Sequence, residues 1–217
     1  MDPYVYPGTD VLKNRRDIRD DRRLQVYEAD ATTRRLMELR ERPLPLAFDA
    51  GHLRDIHRYV FQDVYAWAGQ IRTVNISRSG QFPYAFPERI EGAMNAALGK
   101  LRGEGHLVPL DRMKFAARAA HYLGELNAIH PFRDGNGRAQ REFIRQLAQR
   151  SGHALDWSRV SRDQMYEASR LSFQHGDNSR LETVLRGALR QERDKSLDAR
   201  ASLARRLERD RGTERER

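Results

Sequence analysis

The chain has 217 residues, enough for one well-cored domain with extensions; its 39% hydrophobic and 33% charged composition leads one to expect a soluble protein, and its lack of cysteine suits a reducing cytoplasm. No apolar run approaches a membrane span, MDPYVYPGTD is not a signal peptide, and the absence of cysteine excludes disulfides and thiolate chemistry. The net charge of +9 raises the question of nucleic acid; acidic residues are interspersed throughout, as in NRRDIRDDRR, and no nucleic-acid motif accompanies them, so arginine on solvated faces is the simpler explanation.

In chain order, helical spacing dominates. Leu24, Tyr27, Leu36 and Leu39 predict a first helix, broken by the proline-containing RPLPLAF. Phe48, Leu53, Ile56, Val60 and Phe61 predict a second, capped by Asp49. QIRTVNIS alternates Ile71, Val74 and Ile76 with polar residues and predicts a strand; RSG turns the chain, and QFPYAF returns as a second arm that Pro83 limits to edge pairing. Pro87 opens a helix to about Leu101, and Phe115, Ala119, Tyr122, Leu123 and Leu126 mark a largely buried one. Phe143, Ile144 and Leu147 continue a helix after residue 136. SGHALDWSRVS breaks it, RDQMYEASRLSFQ resumes, and GDNSRLETVLRGAL forms a last one capped near Asn178 or Ser179. From Arg190 the chain carries ten basic and seven acidic residues and is expected to be a charged helical or disordered tail, 190–217, outside a domain of 1–189.

The segment that carries chemistry is HPFRDGNGRAQR, His130 to Arg141. An apolar helix ends near Ile129, Pro131 prevents its continuation, and a new helix starts around Asn136 to Arg138. A loop that feeds a helix N-terminus offers free N–H groups and the positive end of the helix dipole to an anion. Gly135 and Gly137 leave room for a phosphate, Asn136 adds an amide donor, and Arg138 and Arg141 can grip further oxygens. Asp134 would repel a phosphate unless a cation such as Mg²⁺ lay between them, and His130 can act as a general base near neutral pH. Together these residues suit transfer of a phosphorus-containing group from a Mg-nucleotide to a hydroxyl. The plain alternative is an interhelical turn with a capping Asp and solvated arginines.

The same residues resemble the signature of the Fic domain family, H-P-F-x-[D/E]-G-N-G-R-x-x-R, with no departure at His130, Pro131, Phe132, Asp134, Gly135, Asn136, Gly137, Arg138 and Arg141. YVYPGTDVLKN, YAWAGQIRTVNIS and GDNSRL extend the resemblance over roughly residues 4–189. It implies an all-α, Fic-type helical bundle with a small β-hairpin flap over the active site, and transfer of AMP from ATP to a Tyr, Thr or Ser hydroxyl of a target protein. By the same resemblance His130 is the base, Asp134 holds Mg²⁺, Gly135, Asn136 and Gly137 contact the α- and β-phosphates, and Arg138 and Arg141 reach the β- and γ-phosphates. A target segment would dock on the flap, Ile71 to Phe86, by adding to its edge. Many family members carry an inhibitory [S/T]-x-x-x-E-[G/N] helix. Here the two candidates, Glu91-Gly92 and Glu104-Gly105, are preceded at the required position by Pro87 and Lys100. The resemblance therefore implies a toxin restrained by a small separate antitoxin that brings a Glu to Arg141, acting in the host cytoplasm or in a cell into which it is delivered.

Rival readings are weaker. Family branches transfer UMP, phosphate or phosphocholine; Gly137 and Arg138 fit the AMP-transferring pattern, and 166–178 is a candidate for the base pocket. A noncatalytic nucleic-acid module leaves the ordered loop unexplained and lacks an aromatic stacking platform. GAMNAALGK has six residues between its glycines and Leu101 in place of Ser or Thr, so it is not a P-loop. There is no HExxH, and His52 and His57, five apart, are expected at the surface or an interface of their helix.

Overall fold

In the computed structural model, residues 2–78 and 82–190 are described. They form α1 (Asp21–Glu41), α2 (Ala50–Phe61), β1 (Ser77–Arg78), β2 (Phe82–Pro83), α3 (Pro87–Gly103), α4 (Arg112–Ile129), α5 (Asn136–Arg150), α6 (Arg162–His175) and α7 (Ser179–Ala188). The charged tail, from residue 191, and the centre of the RSG turn lie outside the described residues.

Local chemistry explains most helix starts. Asp49 accepts a hydrogen bond from the His52 N–H, as its position suggests, and Asp20 and Asp111 cap α1 and α4 in the same way. Ser161 and Gln164 form a reciprocal capping box at α6, and Pro87 occupies the first turn of α3.

Helix α4 is the hub of the bundle. Phe115, Ala116, Ala119, Ala120, Tyr122, Leu123, Leu126 and Ile129 bury it on several sides, against α3, α5, α6 and α7. Its small residues allow close approach: a Cβ on Gly124 would lie 2.4 Å from Asn178 Oδ1 and 2.8 Å from Ser172 Oγ. Helix α5 packs between α2 and α4, and α1 lies across α2. The loop between α4 and α5 is therefore held by the two most buried helices of the bundle. No helix among the described residues is long and apolar enough to cross a membrane.

Two expectations need correction. The alternating segment Ile71–Ile76 is not a strand; among the described residues the paired positions are Ser77 with Pro83 and Arg78 with Phe82, and the Tyr84 N–H donates to Ile76 O beside them. Its backbone is engaged elsewhere. The Arg72 N–H donates to Pro131 O (3.0 Å), and the buried Arg72 guanidinium donates to the carbonyls of Val74 (2.7 Å), Ala85 and His130 (2.9 Å). Hydrogen bonds to loop carbonyls thus replace a ladder. Secondly, His52 and His57 are not at the surface; both are buried in α2, on the face carrying Leu53, Ile56 and Val60. His52 is satisfied there by the Phe48 N–H and by Gln146 Oε1 (3.0 Å).

Candidate functional site

Helix α4 stops because its C-cap, His130, turns left-handed at φ 49° and ψ 63°, with its N–H still bonded to Leu126 O (3.0 Å). Five residues later Gly135, at φ 80°, caps the start of α5. Between them Asn136 closes the loop on itself: its Oδ1 accepts from the Phe132 N–H (2.9 Å) and its Nδ2 donates to Phe132 O (2.8 Å). The side-chain amide read as a donor to an anion is thus used in shaping the loop, and Asn136 is itself buried.

Gly135 also has a packing role. A Cβ there would lie 2.2 Å from Phe61 Cζ, so the residue makes room for a buried ring. At Gly137 a Cβ would meet Arg141 Nη1 at 3.1 Å.

His57 supports the loop from below, a role that sequence reading missed. Its ring stacks on Phe132 at 3.8 Å. The Gly69 N–H donates to Nδ1 (2.8 Å), which fixes the proton on Nε2, and Nε2 donates to Asp134 O (2.9 Å). The missed signal was its register with Leu53, Ile56 and Val60 on the apolar stripe.

Burial pushes His57 down to about 3, with the nearby Arg138 charge acting in the same direction. An unfolded chain takes up a proton near pH 6.5 that the folded site refuses until about 3, so stability is full above 6.5 and falls as pH drops through that window. Acidification from pH 7 to 5 should cost about 2 kcal/mol through His57, with His52, lowered by burial, adding to it. Urea unfolding of the wild type and His57→Gln at both pH values checks this. An equal pH dependence in the two proteins would contradict it.

Within the cleft, His130 Nδ1 lies 3.2 Å from Asn127 O, which can only accept, so the proton is on Nδ1 and the lone pair on Nε2. The ring lies against Tyr84. Two cavities meet at it. One, of about 770 Å³, is lined by Asn127, Trp157, Ser161, Asp163, Tyr166 and Ser169; the other, of about 590 Å³, by Ser77, Tyr84, Asp134, Asn136 and Arg138. Both share His130, Gly137, Arg141 and Tyr166. Of the expected base-pocket segment, Tyr166 and Ser169 line the larger cavity; much of the remaining wall comes from 157–165, just before it.

The two arginines diverge. Arg138 Nη2 donates to Glu28 Oε1 of α1 (2.5 Å), the guanidinium lies over the Phe61 ring at 4.6 Å, and Asp134 Oδ1 is 3.7 Å away. Glu28 also accepts from the Tyr65 hydroxyl, so a residue outside the motif holds this arginine. Arg141 faces both cavities, and no carboxylate pairs with it among the described residues. Burial, and then Arg138, lower its proton affinity. A cation held in a cleft without a counterion suits an anionic ligand. The Asp134 carboxylate, 47% exposed, accepts from the Gly135 N–H and borders the smaller cavity.

Comparison with known proteins agrees with this geometry. The Fic/DOC family model matches residues 47–148. Over 185 residues the chain is 41% identical to the probable protein adenylyltransferase Fic of Escherichia coli (strain K12), which covers 84% of this chain and 90% of that protein. The chain belongs to the Fic/DOC family. It is also 40% identical over 185 residues to the protein adenylyltransferase VbhT of Bartonella schoenbuchensis, covering 85% of this chain and 38% of that longer protein. Among solved structures, the BepC effector of Bartonella tribocorum with bound AMPPNP superposes with a TM-score of 0.79 at 28% identity, covering 86% of this chain and 96% of that one. A Fic domain from Bartonella quintana with bound ADP gives 0.80 at 30% identity, covering 86% and 94%. The all-α fold with its short hairpin is thus a Fic fold, and these nucleotide-bound neighbours share it.

Proposed function

We propose that this Fic protein is a protein adenylyltransferase that moves AMP from Mg-ATP to a hydroxyl of a target protein. The observation that carries the reading is the meeting, in one cleft, of a histidine with its lone pair on Nε2, the N-terminus of α5 and an arginine without a carboxylate.

In the reaction the target oxygen forms a bond to the α-phosphorus, and the bond from that phosphorus to the bridging oxygen of the β-phosphate breaks. Pyrophosphate leaves, and the hydroxyl proton passes to His130 Nε2. The leading N–H groups of α5, from Asn136 and Gly137, have no acceptor within the helix and receive the α- and β-phosphate oxygens. Arg138, already fixed by Glu28, takes the β-phosphate, and Arg141 the γ-phosphate. The larger cavity, walled by Trp157 and Tyr166, is a suitable seat for the base.

Asp134 is the residue that would hold Mg²⁺. Its carboxylate is half-exposed at the phosphate end of the cleft, and no group of three His, Cys, Asp or Glu among the described residues could bind an ion unaided. Such a donor set suits a cation shared between one carboxylate, phosphates and water. The bound ion would offset the charge of the leaving pyrophosphate.

A target segment would add to the hairpin edge near Ile71–Phe86, where Phe82 and Phe86 are exposed. Restraint would come from a small partner placing a Glu against Arg141, because within these 217 residues neither Glu-Gly pair fits the inhibitory motif. Glu104 is also already bound by Arg118 and Tyr122. The cytoplasm, with its ATP, is the setting we assign.

Arg141→Ala should raise the KM for ATP by about 10- to 100-fold, the usual range for losing a charged hydrogen bond. Because the side chain has no carboxylate partner to orphan, Tm should stay level or rise. Steady-state kinetics with a melting curve separate these effects; an unchanged KM would remove Arg141 from nucleotide binding. The donor is tested by measuring pyrophosphate and orthophosphate release with ATP and with UTP, in the presence of host-cell lysate. Pyrophosphate from ATP is the expected product. Orthophosphate, or a preference for UTP, would move the assignment to another transferase.

A further inference from the structure

Tyr84 lies outside the signature, immediately after β2, yet it touches the residue assigned as the base. Its ring is parallel to the His130 imidazole, with centroids 3.9 Å apart and planes 16° apart. Its other neighbour is Phe173 of α6, at 4.5 Å. Tyr84 is buried to 9% exposure, and its backbone is tied on both sides: its N–H donates to Ile76 O across the hairpin (3.1 Å), and the Ala85 N–H donates to Ala128 O in the last turn of α4 (3.3 Å). Nearby, Arg72 donates both to Ala85 O and to His130 O.

The imidazole turns about its Cβ–Cγ bond, and the edge contact from Nδ1 to Asn127 O sets one direction in the ring plane. A flat surface packed against the ring face resists that turning. Backed by Phe173, Tyr84 is such a surface. We propose that Tyr84 is a positioning residue for the transfer reaction: held by the hairpin and by α6, it fixes the plane of His130 so that Nε2 stays aimed into the cleft. The proposal rests on His130 being the base, and it deepens that assignment by naming what keeps the base aligned.

The chemistry required of Tyr84 is a rigid aromatic face, so its hydroxyl should be dispensable. Tyr84→Leu removes the face, Tyr84→Met fills the same space without a plane, and Tyr84→Phe restores the plane. Misdirecting a proton acceptor by a fraction of an ångström to an ångström costs about 10- to 100-fold in rate. Leu and Met variants should therefore lose kcat by that factor with KM for ATP unchanged, while Phe recovers it. A readout independent of turnover is the ¹H–¹³C spectrum of ring-labelled histidine. The His130 resonances, assigned by their loss in His130→Asn, should carry the ring-current shift of the neighbouring aromatic in wild type and Phe, and lose it in Leu and Met.

A kcat in both Leu and Met variants that matches wild type would overturn the proposal. So would a Phe variant as impaired as the other two, or a KM for ATP rising in step with the loss. The underlying assignment is separated by His130→Asn itself: full activity in that variant defeats the base role. An inactive His130→Asn with fully active Leu and Met variants defeats only the role of Tyr84.

Discussion

His130→Ala should reduce AMP transfer by roughly 10²- to 10⁴-fold, the usual contribution of a positioned general base, while ATP binding is little changed. The division follows from geometry. His130 lines the cleft and is assigned to the proton, whereas the groups assigned to the phosphates are the α5 N-terminus, Arg138 and Arg141. One complication is structural: His130 is left-handed at φ 49°, where alanine is strained by about 1–2 kcal/mol. His130→Asn avoids it, because asparagine tolerates that conformation and cannot act as a base near neutral pH. Both variants should lose kcat equally and keep their affinity for a nonhydrolysable ATP analogue, measured by calorimetry. Wild-type turnover in either would remove His130 from proton transfer.

Gly135→Ala should be the most damaging single methyl in the loop. Its Cβ would stand 2.2 Å from Phe61 Cζ, and Phe61 is fully buried. The backbone at φ 80° adds its own penalty. Left-handed strain of about 1–2 kcal/mol and overpacking of about 1–3 kcal/mol give a loss of about 2–5 kcal/mol. For a domain of this size that is a fall in Tm of roughly 4–20 °C. Gly92→Ala is the natural comparison: it is helical, exposed and open, with nothing within 4 Å of the added carbon, so it should stabilise by about 0.5–1 kcal/mol. Melting curves of the two variants decide the point. A Gly135→Ala protein as stable as wild type would mean that Phe61 yields, and that the glycine serves the ligand instead of the fold.

How much was legible in the sequence depended on whether a residue's role was local. Helix starts are local: Asp49 and Pro87 are recognisable from the few residues beside them, and each is found where expected. So is the passage from α4 through Pro131 to α5, because an apolar run, a proline and a glycine pair allow few other paths. The supports of the site were not legible, because they come from distant segments. Glu28 reaches Arg138 across 110 positions, and Arg72 joins the hairpin to His130 across 58. His57 was misplaced for a related reason: a polar residue on an apolar stripe looks solvated until the backbone groups that satisfy it, Gly69 N and Asp134 O, are seen. The strand expected at Ile71–Ile76 failed because alternation specifies a face, while Val74 O takes the Arg72 guanidinium as its donor and the Arg72 N–H is spent on Pro131 O. Conversely, Gly135 and Asn136 were noticed for their chemistry and prove also to serve packing and loop closure.

The central claim is that the α-phosphorus of ATP becomes bonded to a protein hydroxyl in a His130-dependent step. The most direct measurement incubates the protein with Mg²⁺, host-cell lysate and ATP labelled at the α-phosphate in one reaction and at the γ-phosphate in another, each repeated with His130→Asn. Label on a protein band from the α-position alone, lost in the variant, is the predicted result. Label from the γ-position, or α-label that persists without His130, would contradict it.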